Sequence, residues 1–293
     1  MEKLYHYTDS NGLLGILKNK NIWLSNIQLL NDTSEFEEGK KILYEKIEKK
    51  IKHIKSNPIK PPKDCPFEEL NQKAIIGHLE YMKECLAEWS HPTLNARSFQ
   101  FVFSLSKEKD LLSQWRAYCP DGGYSIEIDG QKFKAYMNSF TDNIKIEDCI
   151  YANQENGHLT KIIDEFIDKI LQTYVESLIP RTIEMISEHK NTILNQQNNL
   201  ISLASRLKHH AFHEESEVRL ISSGYKDEWL EHRVSSGMII PYLKIPIQLD
   251  MINEIMIGPT LTPERVKNSL SDFLFQIGEF NNIKVSLSDT PLI

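Results

Sequence analysis

The stretch FQFVFSLSKEKDLLSQWRAYCPDGGYSIEID, residues 99–129, contains the pattern that decides the fold class. Its first part, residues 99–106, is mostly aromatic and aliphatic and predicts a strand. A helix is predicted through residues 110–118, and a Gly-Gly turn then leads into an alternating strand over residues 124–129. Strands and helices of unequal length in this order indicate an α+β fold rather than a doubly wound α/β fold.

Short strands and helices continue this pattern toward both ends of the chain. Residues 4–7 and 22–25 predict two strands around a helix that Asp9 or Ser10 would cap. A late helix is predicted to begin at residues 262–264. The remaining predicted strands cover residues 144–151, 217–222, 238–240, 252–257 and 283–287.

Two long stretches have the periodicity of helices instead. The first follows a predicted turn at residues 31–34, and the second ends near residue 208. We therefore predict a single domain over residues 1–293 with helical insertions at about 35–95 and 150–208. The apolar residues that share one face of the first insertion's opening helix are Leu43, Ile47, Ile51 and Ile54.

The composition is that of a globular chain with a moderate negative charge. There are 34 Lys and Arg against 41 Asp and Glu, a formal net charge of −7, and 40% of residues are hydrophobic. No apolar run approaches the roughly 18 residues that a membrane span needs. The N-terminal residues lack the apolar core of a signal peptide, so a cytoplasmic protein is expected. The four cysteines form no CxxC pair and are expected to be free thiols: Cys65, Cys85, Cys119 and Cys149.

One segment departs from the overall acidity. Residues 40–63 contain nine lysines and only two acids, Glu45 and Glu48. This segment is either a docking surface for a phosphate-rich or acidic partner or the solvated face of a helix. The acidity of the whole chain argues against a protein that coats nucleic acid, although an enzyme could still contact nucleic acid at one patch.

Several well-known sites are excluded by missing motifs. The chain has no GxGxxG after a strand, no GxxxxGK[ST], no HExxH and no GxSxG. A dinucleotide-binding Rossmann domain, a P-loop enzyme and an α/β-hydrolase are therefore not expected. The local cluster of His209, His210 and His213 could hold a metal on a helix, but a predicted change from helix to strand breaks that spacing, and no metal is predicted.

Separated motifs along nearly the whole chain together resemble the DUF2971 family, which has no assigned function. The usual proline after the Asn-Asp turn is Thr33 here, and insertions at 45–95 and 150–208 are unmatched. The motifs that carry the resemblance are Asn31-Asp32, Phe103-Ser104, Trp115-Arg-Ala-Tyr118, Gly123, Glu215-Ser-Glu-Val-Arg219 and Ile257-Gly-Pro259.

The N-terminal residues also resemble the start of ADP-ribosyltransferases, particularly the DNA-modifying DarT toxins. Tyr5-His6-Tyr7-Thr8 matches their His-x-Thr opening, and a Gly-Leu helix and a second strand follow within about thirty residues. The resemblance implies a split mixed or antiparallel sheet, NAD as co-substrate, and a role in bacterial phage defence or toxin–antitoxin biology.

The residue types fit that chemistry. Cleavage of the nicotinamide–ribose bond builds an oxocarbenium-like centre, which a carboxylate on a rigid strand would stabilise. Glu215, Glu217 and Arg219 alternate, so on a strand they would share a face. By resemblance, Glu217 would hold the ribose and Glu215 would orient the acceptor. The alternative is a charged strand face on which Arg219 pairs with a neighbouring glutamate.

Further residues are predicted to contact NAD. Trp115 and Tyr118 lie three apart on a helix and could stack on the cationic nicotinamide ring, although core packing is the simpler role for Trp115. By resemblance, residues of the first strand would grip a ribose, and a Ser-x-Ser strand would support the catalytic glutamate. The additional NAD-binding candidates are His6, Tyr7, Thr8, Ser104, Ser106 and Arg219.

These observations predict an NAD-dependent ADP-ribosyltransferase-like enzyme. Its macromolecular acceptor, nucleic acid or protein, and its oligomeric state are left open. One alternative is a non-catalytic nucleotide-binding or interaction module of the same fold. Another is a metal-dependent hydrolase that uses the region around His209 and His213.

Overall fold

The computed structural model describes residues 2–30, 33–58, 68–88, 100–140, 144–152, 157–177, 183–224, 226–235 and 237–291. The chain divides into two compact units. The sheet unit comprises Met1–Leu29, Phe101–Cys149 and Ala211–Ile293, and the helical unit comprises Leu30–Gln100 and Ile150–His210. The helical unit therefore corresponds to the two segments predicted as insertions. The assignment of the whole chain to a single domain stays a prediction.

Strands and helices of unequal length follow one another along the chain, with runs of consecutive strands and of consecutive helices, which is typical of an α+β fold. In chain order the strands are β1 Lys3–Thr8, β2 Asn21–Asn26, β3 Phe101–Ser106, β4 Tyr124–Asp129, β5 Ile144–Asp148, β6 Ile150–Ala152, β7 Leu207–His209, β8 Glu217–Ser222, β9 Leu230–Ser235, β10 Met238–Pro246, β11 Ile252–Ile257 and β12 Lys284–Leu287.

The helices are long in the helical unit and short in the sheet unit. In chain order they are α1 Ser10–Asn19, α2 Thr33–Ser56, α3 Glu68–Glu88, α4 Leu112–Tyr118, α5 Gly130–Asn138, α6 Gly157–Ser177, α7 Ile183–Ala204 and α8 Pro263–Gln276.

The sheet unit contains a mixed, mostly antiparallel open sheet. Its strand order is β12-β11-β4-β1-β3-β2-β10-β9, and β8 pairs with both β3 and β5. Only β11 and β12 run parallel among the strand pairs described in this sheet. The α+β class and the mixed or antiparallel sheet predicted from the sequence are confirmed.

The sheet divides at β3. Strand β8 pairs with β3 along its whole length, from Phe101 to Ser106. On the other edge of β3, β2 pairs only near Phe101 and Val102, whereas β1 pairs only at Ser106, opposite Tyr5. In the described chain, the middle of β3 therefore has no strand partner on this edge, and β1 and β2 diverge from it.

Apolar stripes predicted from the sequence are buried in both units. In the sheet unit, α1 buries Leu13, Ile16 and Leu17, and Asp9 caps this helix by accepting a hydrogen bond from the Gly12 N–H at 2.7 Å. In the helical unit, the face predicted for α2 is buried. No helix in the described ranges combines the length and apolarity needed to cross a bilayer. All four residues of the predicted α2 face are buried: Leu43, Ile47, Ile51 and Ile54.

The lysine-rich face of α2 is partly neutralised within the helical unit. Lys50 forms an ion pair with Asp168 on α6, and Lys52 forms one with Glu48 on α2 itself at 3.2 Å. These two lysines are thus paired within the helical unit, and both interpretations of the segment stay predictions. Lys60 and Lys63 lie outside the described residues, as does the predicted turn at Asn31-Asp32.

Candidate functional site

A cavity of about 50 Å³ lies where β1 and β3 diverge. Its walls come from four parts of the sheet unit: β1, β3, α4, and the turn into β8 with the first residue of that strand. The residues that line it are Tyr5, His6, Tyr7, Ser104, Leu105, Gln114, Tyr118, Glu215 and Glu217.

Glu217 and Arg219 form a bidentate ion pair on β8. Arg219 Nε donates to Glu217 Oε1 at 2.7 Å, and Arg219 Nη2 donates to Oε2 at 3.0 Å. Both side chains are buried, at 7% and 5% exposure, and their spacing of two places them on one strand face. Glu217 lines the cavity and Arg219 does not, so Arg219 holds the carboxylate without lining the cavity itself, and its predicted contact with NAD stays a prediction. The sequence-based alternative, a strand-face ion pair, is therefore what the structure contains.

Glu215 lines the cavity from a 3₁₀ turn and not from a strand as predicted. Strand β8 begins at Glu217, and Glu215 ends a 3₁₀ turn. Ser216 between them has a φ of 44°, a left-handed conformation that breaks the alternation expected of a strand. The prediction that Glu215 and Glu217 share one strand face is wrong for this reason, although both residues line the cavity.

The two serines of β3 have different environments. The buried Ser106 hydroxyl donates to the Glu215 carbonyl at 2.7 Å and accepts from the Glu108 N–H at 2.9 Å. Ser106 thus fixes the turn before β8 instead of lining the cavity. Ser104 does line the cavity, and its hydroxyl has no hydrogen-bond partner within the described ranges. The predicted supporting role fits Ser106, and the predicted ligand contact fits Ser104.

His6 occupies the split in the sheet. Its Nδ1 lies 3.0 Å from the Ser104 carbonyl, and because a carbonyl can only accept, Nδ1 carries the proton. The ring stacks on Phe103 with a centroid distance of 4.1 Å. Burial lowers the pKa of His6 to about 4, although the bond to Ser104 opposes this shift. The imidazole is therefore neutral at pH 7, with Nε2 as an acceptor.

The depressed pKa of His6 gives a pH prediction. The folded pKa of about 4 lies below the unfolded value of about 6.5, so the unfolded chain takes up the proton first as the pH falls. The stability from neutral His6 is complete above pH ~6.5 and is lost between there and pH ~4. The free energy of unfolding, measured by urea titration, should fall between pH 7.5 and pH 4.5 in both proteins. In His6→Gln this fall should be smaller than in the wild type by about 1–2 kcal/mol. His232→Gln, at an exposed position, is the control, and an identical loss in His6→Gln would contradict the assignment.

Neighbouring residues on β1 have structural roles. The Tyr7 hydroxyl donates to the Glu108 carbonyl at 2.8 Å and accepts from the Leu111 N–H at 3.0 Å, and burial raises the pKa of Tyr7. Thr8 does not line the cavity, and its carbonyl accepts from the Cys119 thiol at 3.4 Å. The end of β1 thus packs against the end of α4, and the predicted ligand contact of Thr8 stays a prediction.

Trp115 and Tyr118, both on α4, have different environments. Trp115 is 3% exposed, packs edge-on against Tyr7 at 4.8 Å, and donates from Nε1 to Asp110 Oδ1 at 2.6 Å. Its ring lies so close to Gly258 that an added Cβ would sit 2.8 Å from it. The core-packing alternative is thus correct for Trp115, whereas Tyr118 lines the cavity and is 48% exposed.

Sequence reasoning missed three lining residues. Tyr5 donates a hydrogen bond to Glu127 Oε2 at 3.3 Å, and burial raises the pKa of Tyr5 to about 12. Its alternation with Tyr7 on β1 was the available signal. Leu105 and Gln114 carried no distinguishing pattern, since a lone Leu or Gln has no motif.

No metal centre is found at the histidines. His209 ends β7, and His213 lies in the 3₁₀ turn His210–Glu215. In the described part of the chain, no three His, Cys, Asp or Glu side chains are arranged to hold a metal ion.

Comparison with known families adds one result. Residues 114–220 match a family described as a protein of unknown function, DUF2971. The DUF2971 resemblance is confirmed. The matched stretch contains Gln114, Tyr118, Glu215 and Glu217, so it supplies two walls of the cavity. No curated protein and no solved structure matches the chain significantly.

The DUF2971 match is narrower than the motif comparison implied. It excludes Asn31-Asp32, Phe103-Ser104 and Ile257-Gly-Pro259. It also excludes the N-terminal residues that resemble ADP-ribosyltransferases, and that likeness remains a resemblance.

Proposed function

We propose that the chain cleaves the nicotinamide–ribose bond of NAD, as an ADP-ribosyltransferase or NAD glycohydrolase. The observation that carries this proposal is the Glu217 carboxylate, which lines the cavity and is held rigid by two hydrogen bonds from Arg219. In the step, the C1′–N1 bond breaks and its electron pair passes to the ring nitrogen, so that neutral nicotinamide leaves. The acceptor, or water, then bonds to C1′ and loses a proton.

A fixed carboxylate suits this step for an electrostatic reason. Positive charge develops on the ribose in the transition state, and a carboxylate bonded to a ribose hydroxyl interacts more strongly as that charge grows. Arg219 removes the freedom of Glu217 to reorient, so little reorganisation is needed during the reaction. Glu215 lies in the same cavity and would accept the proton of an incoming nucleophile.

The remaining walls suit the other parts of the substrate. Neutral His6 supplies an acceptor without adding positive charge near the oxocarbenium centre. The exposed Tyr118 ring at the cavity would stack on the cationic nicotinamide. At about 50 Å³ the cavity is smaller than the pockets of about 300–1,000 Å³ that enclose whole ligands, so only the nicotinamide end would enter it.

Glu217→Gln tests the proposal directly. The substitution keeps the shape but removes the charge, so nicotinamide release from NAD should fall at least about 100-fold. Release is measured by chromatography, with and without added nucleic acid or protein acceptor. Glu214→Gln, an exposed neighbour that does not line the cavity, is the matched control and should keep wild-type release. Full turnover by folded Glu217→Gln would overturn the proposed mechanism.

One observation favours a second candidate, a nucleotide-binding module without turnover. The ion pair that holds Glu217 also engages both of its oxygens with positive charge. A site of this kind would bind NAD or ADP-ribose saturably and yield no product. The cytoplasmic location and the role in bacterial phage defence or as a toxin belong to the proposal, as does the macromolecular acceptor.

A further inference from the structure

Gln114 is a polar residue of the cavity wall that has no role in the proposed chemistry. It lies on α4, is only 7% exposed, and lines the cavity. Within the described ranges, its side-chain amide has no hydrogen-bond partner. Because Gln114 lines the cavity, the hydrogen-bonding groups of its amide are available to a ligand there.

The amide limits the chemistry of that ligand. A glutamine side chain offers one acceptor oxygen and two donor hydrogens in a plane. A primary carboxamide offers the same groups and can pair with it through two N–H···O bonds. The hydroxyl of Ser104, on another wall of the cavity, is also without a partner in the described chain and can add a third bond.

The size and charge of the cavity also favour a carboxamide as the group that enters it. At about 50 Å³ the cavity is far smaller than the pockets of about 300–1,000 Å³ that enclose whole ligands, so it suits a small group such as a carboxamide rather than a nucleoside. The Glu215 carboxylate also lines the cavity, and its negative charge disfavours a ligand carboxylate, whereas the charge of Glu217 is already paired with Arg219.

We infer that Gln114 recognises the carboxamide of nicotinamide and makes the site selective for carboxamide over carboxylate rings. The inference rests on the proposed function, because it identifies which part of NAD enters the cavity. The ligand that the site would reject is nicotinic acid adenine dinucleotide, which differs from NAD only in carrying a carboxylate in place of the carboxamide.

The experiment compares the two dinucleotides by calorimetric titration and by release of the free ring. The wild type should prefer NAD by at least about 100-fold. Gln114→Met, which is similar in volume but has no amide, should weaken NAD binding about 10-fold and reduce the preference below about 10-fold. Gln131→Met, at an exposed position on α5, should keep the wild-type preference. Gln114→Leu serves as the second variant if circular dichroism shows that Gln114→Met is not folded.

The outcomes separate the two proposals. If the wild type releases nicotinamide and Gln114→Met keeps its full preference, the role of Gln114 is overturned and the proposed function stands. If the wild type binds NAD selectively without release, and Gln114→Met loses that selectivity, the role of Gln114 stands and the proposed catalysis fails. If the wild type binds neither dinucleotide, both are overturned.

Discussion

Arg219→Met is expected to lower the free energy of unfolding by about 3–5 kcal/mol, because it removes the guanidinium that pairs with the buried Glu217 carboxylate. Both side chains are nine-tenths buried and share two hydrogen bonds, so the loss cannot be made up by water as it would be at the surface. Urea unfolding monitored by circular dichroism at pH 7.5 measures the effect. Arg265→Met, at an exposed position on α8, is the matched control and should change stability by less than about 0.5 kcal/mol.

A double variant separates loss of the pair from loss of packing. Glu217→Met/Arg219→Met removes both charges while keeping apolar volume on β8, and it should recover most of the stability that the single variant loses. A single variant as stable as the wild type would contradict the buried ion pair. A double variant no more stable than the single one would show that Arg219 acts through packing.

Substitutions of Arg219 also test whether this residue positions Glu217 for the reaction. If Arg219 acts by holding Glu217, a folded Arg219→Lys should release less nicotinamide because a lysine cannot form the two-pronged contact. The binding of NAD should change less than the rate, since Arg219 does not line the cavity. The rate and the binding constant thus distinguish a positioning residue from a ligand contact.

The local parts of the fold could be predicted because each has its own pattern. The alternation in residues 124–129 and the spacing of Leu43, Ile47, Ile51 and Ile54 specify a strand and a helix face without help from elsewhere. The helix α5 was missed although Asp129 caps it, accepting from the Gln131 and Lys132 N–H groups, because the strand pattern ends on the same residue.

The candidate site could be predicted only in part because it depends on contacts between distant residues. His6 and Ser104 are 98 positions apart, and nothing in either motif specifies that the ring bonds to that carbonyl. The left-handed Ser216 is equally hidden, since serine has no preference for positive φ that would mark the turn before Glu217. The motifs that carry the resemblance therefore pointed to Glu217 and His6 as candidates, and both line the cavity, whereas the divergence of β1 and β2 from β3 determined which of their neighbours share it.

Trp115→Ala is expected to lower the free energy of unfolding by about 3–5 kcal/mol, because it empties the centre of a buried cluster. Trp115 packs there with Tyr5, Tyr7, Cys119 and Met256. Its indole also donates to Asp110, whose Oδ1 accepts from the Ser288 and Thr290 hydroxyls at 2.6 and 2.8 Å, so the loss extends to the C-terminal residues. Trp23→Ala, at a half-exposed tryptophan on β2, should cost less and is the matched control in the same urea titration.

Trp115→Phe then separates core packing from ligand stacking. The smaller ring keeps an aromatic face but loses the bond to Asp110, so this variant should be less stable than the wild type and more stable than Trp115→Ala. Because Trp115 does not line the cavity, the affinity of folded Trp115→Phe for NAD should stay within about 3-fold of the wild type. Tyr118→Ala removes an exposed ring at the cavity and should weaken NAD binding by more than this. The reverse order, with affinity lost on changing Trp115 and retained on changing Tyr118, would mean that the ligand approaches from the buried side of α4 and would contradict the site described above.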